Sequence, residues 1–212
     1  MRIVVTRPKG RGQELARRLR ELGHDVELCP LIEVEPTGPP EVDVAGYEWV
    51  IVTSPNGARE LAERMRGRPR RLAAIGPGTA AALRAHGLEP DLVPAVSTQE
   101  GLLEELPRPA GYVLFAGAVG ARTLLVEQLN ADFIPLYRIR ELQPESFPEA
   151  DLVVLASPSA ARAYAALGRT MPVVSIGPET SRAAEEAGLQ VAAVASAHDL
   201  AGLVDAVRQV GG

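Results

Sequence analysis

Residues 51–61 read IVTSPNGAREL, and residues 153–164 read VVLASPSAARAY. Each is an apolar run, a Ser-Pro turn and the opening of a helix, with Ser54 opposite Ser157 and Pro55 opposite Pro158. A second pair follows in the same order. Residues 73–88, AAIGPGTAAALRAHGL, match residues 173–189, VVSIGPETSRAAEEAGL. Gly76 then stands opposite Gly177, Thr79 opposite Thr180, and Gly87 opposite Gly188. Both pairs are about a hundred residues apart, far too long a period for a solenoid. The chain is therefore read as two copies of one unit.

Outward from these stretches the pattern stays the same. Ile3–Thr6 is a strand, RPKGRG a turn, and Gln13–Leu22 a helix with Leu15, Leu19 and Leu22 on one stripe. Further helices are expected near Ala58–Met65, Thr79–His86, Gly101–Leu106 and Arg122–Leu129. Strands alternating with helices imply parallel sheets with crossover connections. Continuous apolar runs such as WVIV and DLVVL suit strands covered on both faces. The expected fold class is α/β: two similar lobes, each a parallel sheet flanked by helices, joined by a two-stranded linker. The two Pro-containing connectors, LCPLIEVEP and FIPLYRIRE, are extended and read as poorly suited to a sheet centre. Taking them as linkers, at about 30–38 and 133–142, inserts one lobe into the other. The first lobe is then 1–34 plus 142–212, and the inserted lobe is 40–132.

Composition excludes several classes. The chain has 212 residues and a formal net charge of −5, which argues against a general nucleic-acid or membrane-surface binder. Aromatic residues are 4%, too few for a base-stacking platform. No apolar run reaches the ~18 residues of a membrane span, and no signal peptide is read at the N-terminus. Cys29 is the only cysteine, so no intrachain disulfide forms and a cytoplasmic location is expected. His24, His86 and His198 lack ligand spacing, so no metal is expected. Lys9 is the only lysine and the sole candidate for Schiff-base chemistry.

The strand ends share one chemistry: TRPKG, TSPNG, IGPGT, FAGAVG, ASPSA and IGPET. Such turns open helices, exposing backbone N–H groups and the positive end of the dipole. In open parallel sheets ligands bind at these ends. Thr53, Ser54, Asn56, Gly76, Thr79, Gly117, Ser157, Ser159, Gly177 and Thr180 are the candidate binding residues. Two lobes of this design would line a cleft for a polyanion. The bland reading of each turn is ordinary capping. Arg7, ending the first strand, is a candidate partner for a carboxylate, against a solvated turn residue. Tyr137, in FIPLYRIRE, has a phenol able to donate a proton to a leaving group, against a linker aromatic with its hydroxyl in water. Gly76–Ala81 satisfies G-x-G-x-x-A but lies on the wrong strand for a dinucleotide site, and its duplicate loses the second glycine.

The duplicated Ser-Pro and IGPxT turns, the bilobal pattern and the Ile-Pro-Leu-Tyr connector resemble the uroporphyrinogen-III synthase family over nearly the whole chain. The resemblance implies two α/β lobes on a two-stranded linker and a cofactor-independent cyclising lyase of porphyrin biosynthesis. Its substrate is hydroxymethylbilane, a polycarboxylate tetrapyrrole. Water is lost, ring D inverts through a spiro intermediate, and uroporphyrinogen III forms. By the same resemblance Tyr137 matches the tyrosine proposed to assist water loss. Ser54, Thr79, Ser157 and Thr180 match polar positions of the cleft, Ser159 matches less closely, and Arg7 stands where a basic residue is common. Ala116-Gly117-Ala118 is less polar than the family pattern. A monomer is expected. The alternatives are a bilobal binding or sensor module for a small anion, and a dinucleotide-dependent enzyme.

Overall fold

The computed structural model describes residues 1–211 as two compact units. The first is Met1–Glu33 with residues 139–211, and the second is Val34–Arg138.

The first unit is built on a five-stranded parallel sheet. Its strands are β1 (Arg2–Val5), β2 (Asp25–Leu28), β10 (Leu152–Leu155), β11 (Val173–Ser175) and β12 (Val191–Val194), in the order β12-β11-β10-β1-β2. Its helices are α1 (Gln13–Glu21), α6 (Pro158–Ala166), α7 (Pro178–Glu186) and α8 (Leu200–Gly211). Successive strand residues point to opposite faces, and along Ile3–Val5, β10 and β11 both faces are buried. Val4, Val153, Leu155 and Val173 pack with Ala160, Tyr164 and Ala184 of α6 and α7. Ile3, Val5, Leu152, Val154 and Val174 pack with Leu15, Leu19, Leu203 and Val207 of α1 and α8. That is why the strands read as unbroken apolar runs. The chain leaves β1 in one direction along the sheet and β10 in the other, so strand order reverses between β1 and β10.

The second unit repeats the plan. Its sheet has the order β3-β9-β8-β5-β7, from β3 (Ile32–Pro36), β5 (Trp49–Val52), β7 (Arg71–Ala74), β8 (Val113–Ala118) and β9 (Asp132–Glu141). A small parallel pair, β4 (Val42–Asp43) and β6 (Met65–Arg66), lies apart from it. The helices are α2 (Pro55–Arg64), α3 (Pro77–Arg84), α4 (Gln99–Glu105) and α5 (Leu124–Leu129). Trp49, Ile51, Val113 and Phe115 pack with Leu102 and Leu125 of α4 and α5. Their strand neighbours Val50, Val52, Leu114 and Ala116 are equally buried. Strand order here reverses between β5 and β8.

The α/β class read from the sequence is what the structure shows, and one of the two Pro-containing stretches behaves differently from expectation. LCPLIEVEP avoids a sheet centre as read: Pro30 separates β2, at the edge of one sheet, from β3, at the edge of the other. FIPLYRIRE is not excluded from a sheet interior, since β9 lies between β3 and β8. Pro135 is tolerated because the β8–β9 register shifts between Gly117 and Ala118, beside its partner Gly117, where a missing N–H breaks no regular ladder. Thr37 N–H donates to the Leu136 carbonyl, and Leu142 N–H to that of Leu31. β3 and β9 therefore run antiparallel. Glu35 pairs with Arg138 and Glu33 with Arg140 along them.

Helices also begin earlier than the apolar periods suggest. α2 starts at Pro55 rather than Ala58, and α3 at Pro77 rather than Thr79. Proline is pre-organised for the first helical position and has no N–H to strand there. Cys29 is buried, and burial pushes its thiol pKa up.

Candidate active site

The duplicated Ser-Pro turns become duplicated helix caps. Ser54 Oγ accepts from Gly57 N–H at 2.9 Å, and Ser157 Oγ accepts from Ala160 N–H at 3.2 Å. Gly76 and Gly177 open α3 and α7 in extended conformation, without a side-chain cap. Here a side chain is opposed by close approach, not by backbone strain. A Cβ on Gly76 would come within 2.5 Å of Ser97 Oγ, and one on Gly177 within 2.8 Å of His198 Cδ2. Ser97 and His198 therefore roof equivalent turns. Each directly precedes a further helix cap, Thr98 or Asp199, bonded to Gly101 or Gly202 N–H. Sequence reading passed over this third repeat, although the spacing of Gly101 and Gly202 carries it.

These turns offer fewer donors than their sequences suggest. Proline brings no N–H. The amides of Thr79 and Ala80 already bond the Gly76 carbonyl, and those of Thr180 and Ser181 bond that of Gly177. The amides of Gly78 and Glu179, second in their helices, have no carbonyl partner within their own helix. The Thr79 and Thr180 side chains are themselves buried. Gly76 and Gly177 are also buried, as is Gly117, whereas Thr53, Ser157 and Ser159 are half-buried. Asn56 Oδ1 accepts from Arg59 at 2.8 Å, and Ser157 and Ser159 hydroxyls lie 3.1 Å apart.

Two side chains depart from their bland readings. Tyr137 has its hydroxyl 2.8 Å from Ser54 Oγ, not in bulk water, and is only 5% exposed. β9 carries it beside β8, with Tyr137 in register with Ala118, so it reaches the end of β5 where strand order reverses. Ser54 Oγ already accepts from Gly57, so its own proton is available to the phenol oxygen. Either hydroxyl can donate within this pair, and Gly57 N–H, Ser54 and Tyr137 form one hydrogen-bonded chain.

Arg7 follows β1 at the other reversal, next to β10. Thr6 fixes this corner, its hydroxyl donating to the Val154 carbonyl at 2.9 Å. Among the described residues Arg7 Nε and Nη1 are buried with no hydrogen-bond partner. Desolvation lowers the guanidinium pKa, and Arg11 adds repulsion. The group nevertheless stays charged at neutral pH. A buried cation with unused donors is matched to an anion, above all a carboxylate that accepts two N–H bonds.

Among the described residues no cluster of three His, Cys, Asp or Glu side chains forms a metal site, and no helix is long and apolar enough to cross a membrane.

Two open, mostly parallel sheets, one with Arg7 at its order reversal and the other with Ser54 and Tyr137 at its own, are of the α/β class whose ligands bind at such points. The family model described as uroporphyrinogen-III synthase HemD matches residues 13–205. An Archaeoglobus fulgidus relative is 32% identical over 90% of this chain and 91% of its own. A Synechococcus elongatus protein named uroporphyrinogen-III synthase is 26% identical, covering 98% of this chain and 94% of its own. The crystal structure of a mutant uroporphyrinogen III synthase from Thermus thermophilus shares the fold, with a TM-score of 0.66 at 18% identity over 99% of this chain and 98% of that one. The chain belongs to the uroporphyrinogen-III synthase family.

Proposed function

We propose that this chain closes hydroxymethylbilane to uroporphyrinogen III, with loss of water and inversion of ring D. Family membership supports the reaction, and the Ser54–Tyr137 hydroxyl pair is the observation that carries the chemistry. The leaving hydroxyl sits on a carbon attached to an electron-rich pyrrole, whose nitrogen lone pair expels it. Tyr137 donates its proton to that oxygen as the C–O bond breaks, so water departs. Ser54 supports the donor. The remaining task is conformational: the bilane must be held so that ring D bonds through its substituted position and then rearranges. Arg7 holds a side-chain carboxylate of the substrate. Thr53, Asn56, Ser157, Ser159 and the first-turn amides of Gly78 and Glu179 offer further polar contacts. Gly76, Gly117 and Gly177 let the turns approach closely, while Thr79 and Thr180 shape them from beneath. This chemistry needs charge and orientation, not a cofactor. The protein works as a cytoplasmic monomer on a polycarboxylate tetrapyrrole.

The test is incubation with hydroxymethylbilane, oxidation of the product and chromatographic separation of isomers. Type III product in excess of a protein-free control is expected. Type I alone, the product of closure without inversion, would remove the assignment.

Caps that look alike in sequence should differ in effect. Ser54→Ala and Ser157→Ala each lose a cap, at about 1 kcal/mol, and lower Tm by about 2–4 °C. Ser54→Ala alone also lowers kcat, because the Ser54 hydroxyl lies 2.8 Å from that of Tyr137. Calorimetry with steady-state kinetics separates the two, and equal kcat values in both variants would detach Ser54 from the chemistry.

A further inference from the structure

The last residue of α2 is an arginine whose every donor is used. Arg64 Nε donates to the Glu60 carbonyl at 3.1 Å, and Nη1 donates to the carbonyls of Thr37 at 2.6 Å and Pro39 at 3.2 Å. Nη2 donates to Glu60 Oε2 at 3.0 Å and to the Leu136 carbonyl. A guanidinium has five N–H groups, and all are engaged. The pair is largely buried, with side-chain exposures of 14% for Arg64 and 11% for Glu60. Burying two charges is a poor route to stability, since apolar residues of similar volume do as well or better. Its geometry suggests another purpose. α2 grips one short piece of β9 at both helix ends: Ser54, its N-cap, meets the Tyr137 hydroxyl, and Arg64, its last residue, binds the carbonyl of Leu136, the residue before Tyr137. Thr37 N–H converges on that same carbonyl, and the Tyr137 carbonyl accepts from Val119 N–H.

We propose that Arg64, oriented by Glu60, is a positioning residue that fixes the β9 backbone so that the Tyr137 phenol stays on Ser54. The proposal rests on the role given to Tyr137 above. Glu60 holds the guanidinium plane, which allows one side chain to reach acceptors in the Thr37–Pro39 segment and in β9 together. A lysine keeps the charge facing Glu60 but lacks the planar fork that spans these carbonyls.

Arg64→Met and Arg64→Lys are measured with hydroxymethylbilane in the wild-type and in the Tyr137→Phe backgrounds. In the wild-type background Arg64→Met is expected to lower kcat ~10-fold, since small misplacements of a reacting group carry large rate penalties. KM stays within about 2-fold, and Arg64→Lys recovers part of the loss. In the Tyr137→Phe background neither substitution lowers kcat further, because there is no phenol left to misplace. Equal loss in both backgrounds would reduce Arg64 to a structural clamp, and unchanged kcat in the wild-type background would overturn the proposal outright. If Arg64→Met fails to fold, Arg64→Lys carries the same comparison. Wild-type kcat in Tyr137→Phe alone overturns the role of the phenol, and the positioning proposal falls with it. Loss in Tyr137→Phe with equal Arg64 effects in both backgrounds overturns the positioning alone.

Discussion

Tyr137→Phe lowers kcat by about 10–100-fold while KM and the fold persist. General acid assistance contributes typically ~100-fold or more, and a smaller effect is expected here because an electron-rich pyrrole already expels its leaving group well. The substitution removes one oxygen. Ser54 keeps its bond from Gly57 N–H, so α2 retains its cap. One hydroxyl partner is lost, at about 1 kcal/mol, and Tm falls by about 2–4 °C. Stopped assays give kcat, circular dichroism checks the fold, and isomer analysis checks the product. The type III fraction falls as well, because spontaneous closure competes with a slower enzyme. A variant with wild-type kcat would strike Tyr137 from the mechanism.

Arg7→Leu shifts stability and affinity in opposite senses. In the free protein the guanidinium is a cost: Nε and Nη1 lie buried without partners, and desolvation already lowers the pKa. An apolar side chain removes that cost and stabilises the first unit by about 1–2 kcal/mol. The same substitution takes away the charge proposed to meet a substrate carboxylate. Charged hydrogen bonds contribute about 1.5–3 kcal/mol, so KM rises by about 10–100-fold. Thermal unfolding and substrate titration are read together. A higher Tm with a higher KM is the signature of a group kept for function at the expense of stability. A lower Tm with unchanged KM would make Arg7 an ordinary packing residue.

Much of the fold was legible because its periodicities are local. Strands buried on both faces must read as apolar runs, and Ile3–Val5 and Leu152–Leu155 do. Ser54-Pro55 and Ser157-Pro158 marked the strand-to-helix turns, although the apolar period put the start of α2 at Ala58, because a cap and a first-position proline act ahead of the first apolar contact. The fate of Pro135 was not legible. Whether a proline stands in a sheet interior depends on the register of its neighbour, here the shift at Gly117 and Ala118, about twenty residues away. The same holds for Gly76 and Gly177, whose turns were read from sequence as open donors. The residues that crowd them, Ser97 and His198, come from segments about twenty residues further on.

The sequence alone determined the duplication, the alternation of strand and helix, and the residue types placed at strand ends, because each follows from spacing along the chain. Tertiary structure decided which of those residues act together. It brought Tyr137 to Ser54 across 83 positions, closed Arg64 around Leu136 across 72, and left the Arg7 guanidinium buried with donors to spare. Hydrogen-bond partnership and desolvation are set by neighbours in space, and those neighbours exist only once the sheets have paired.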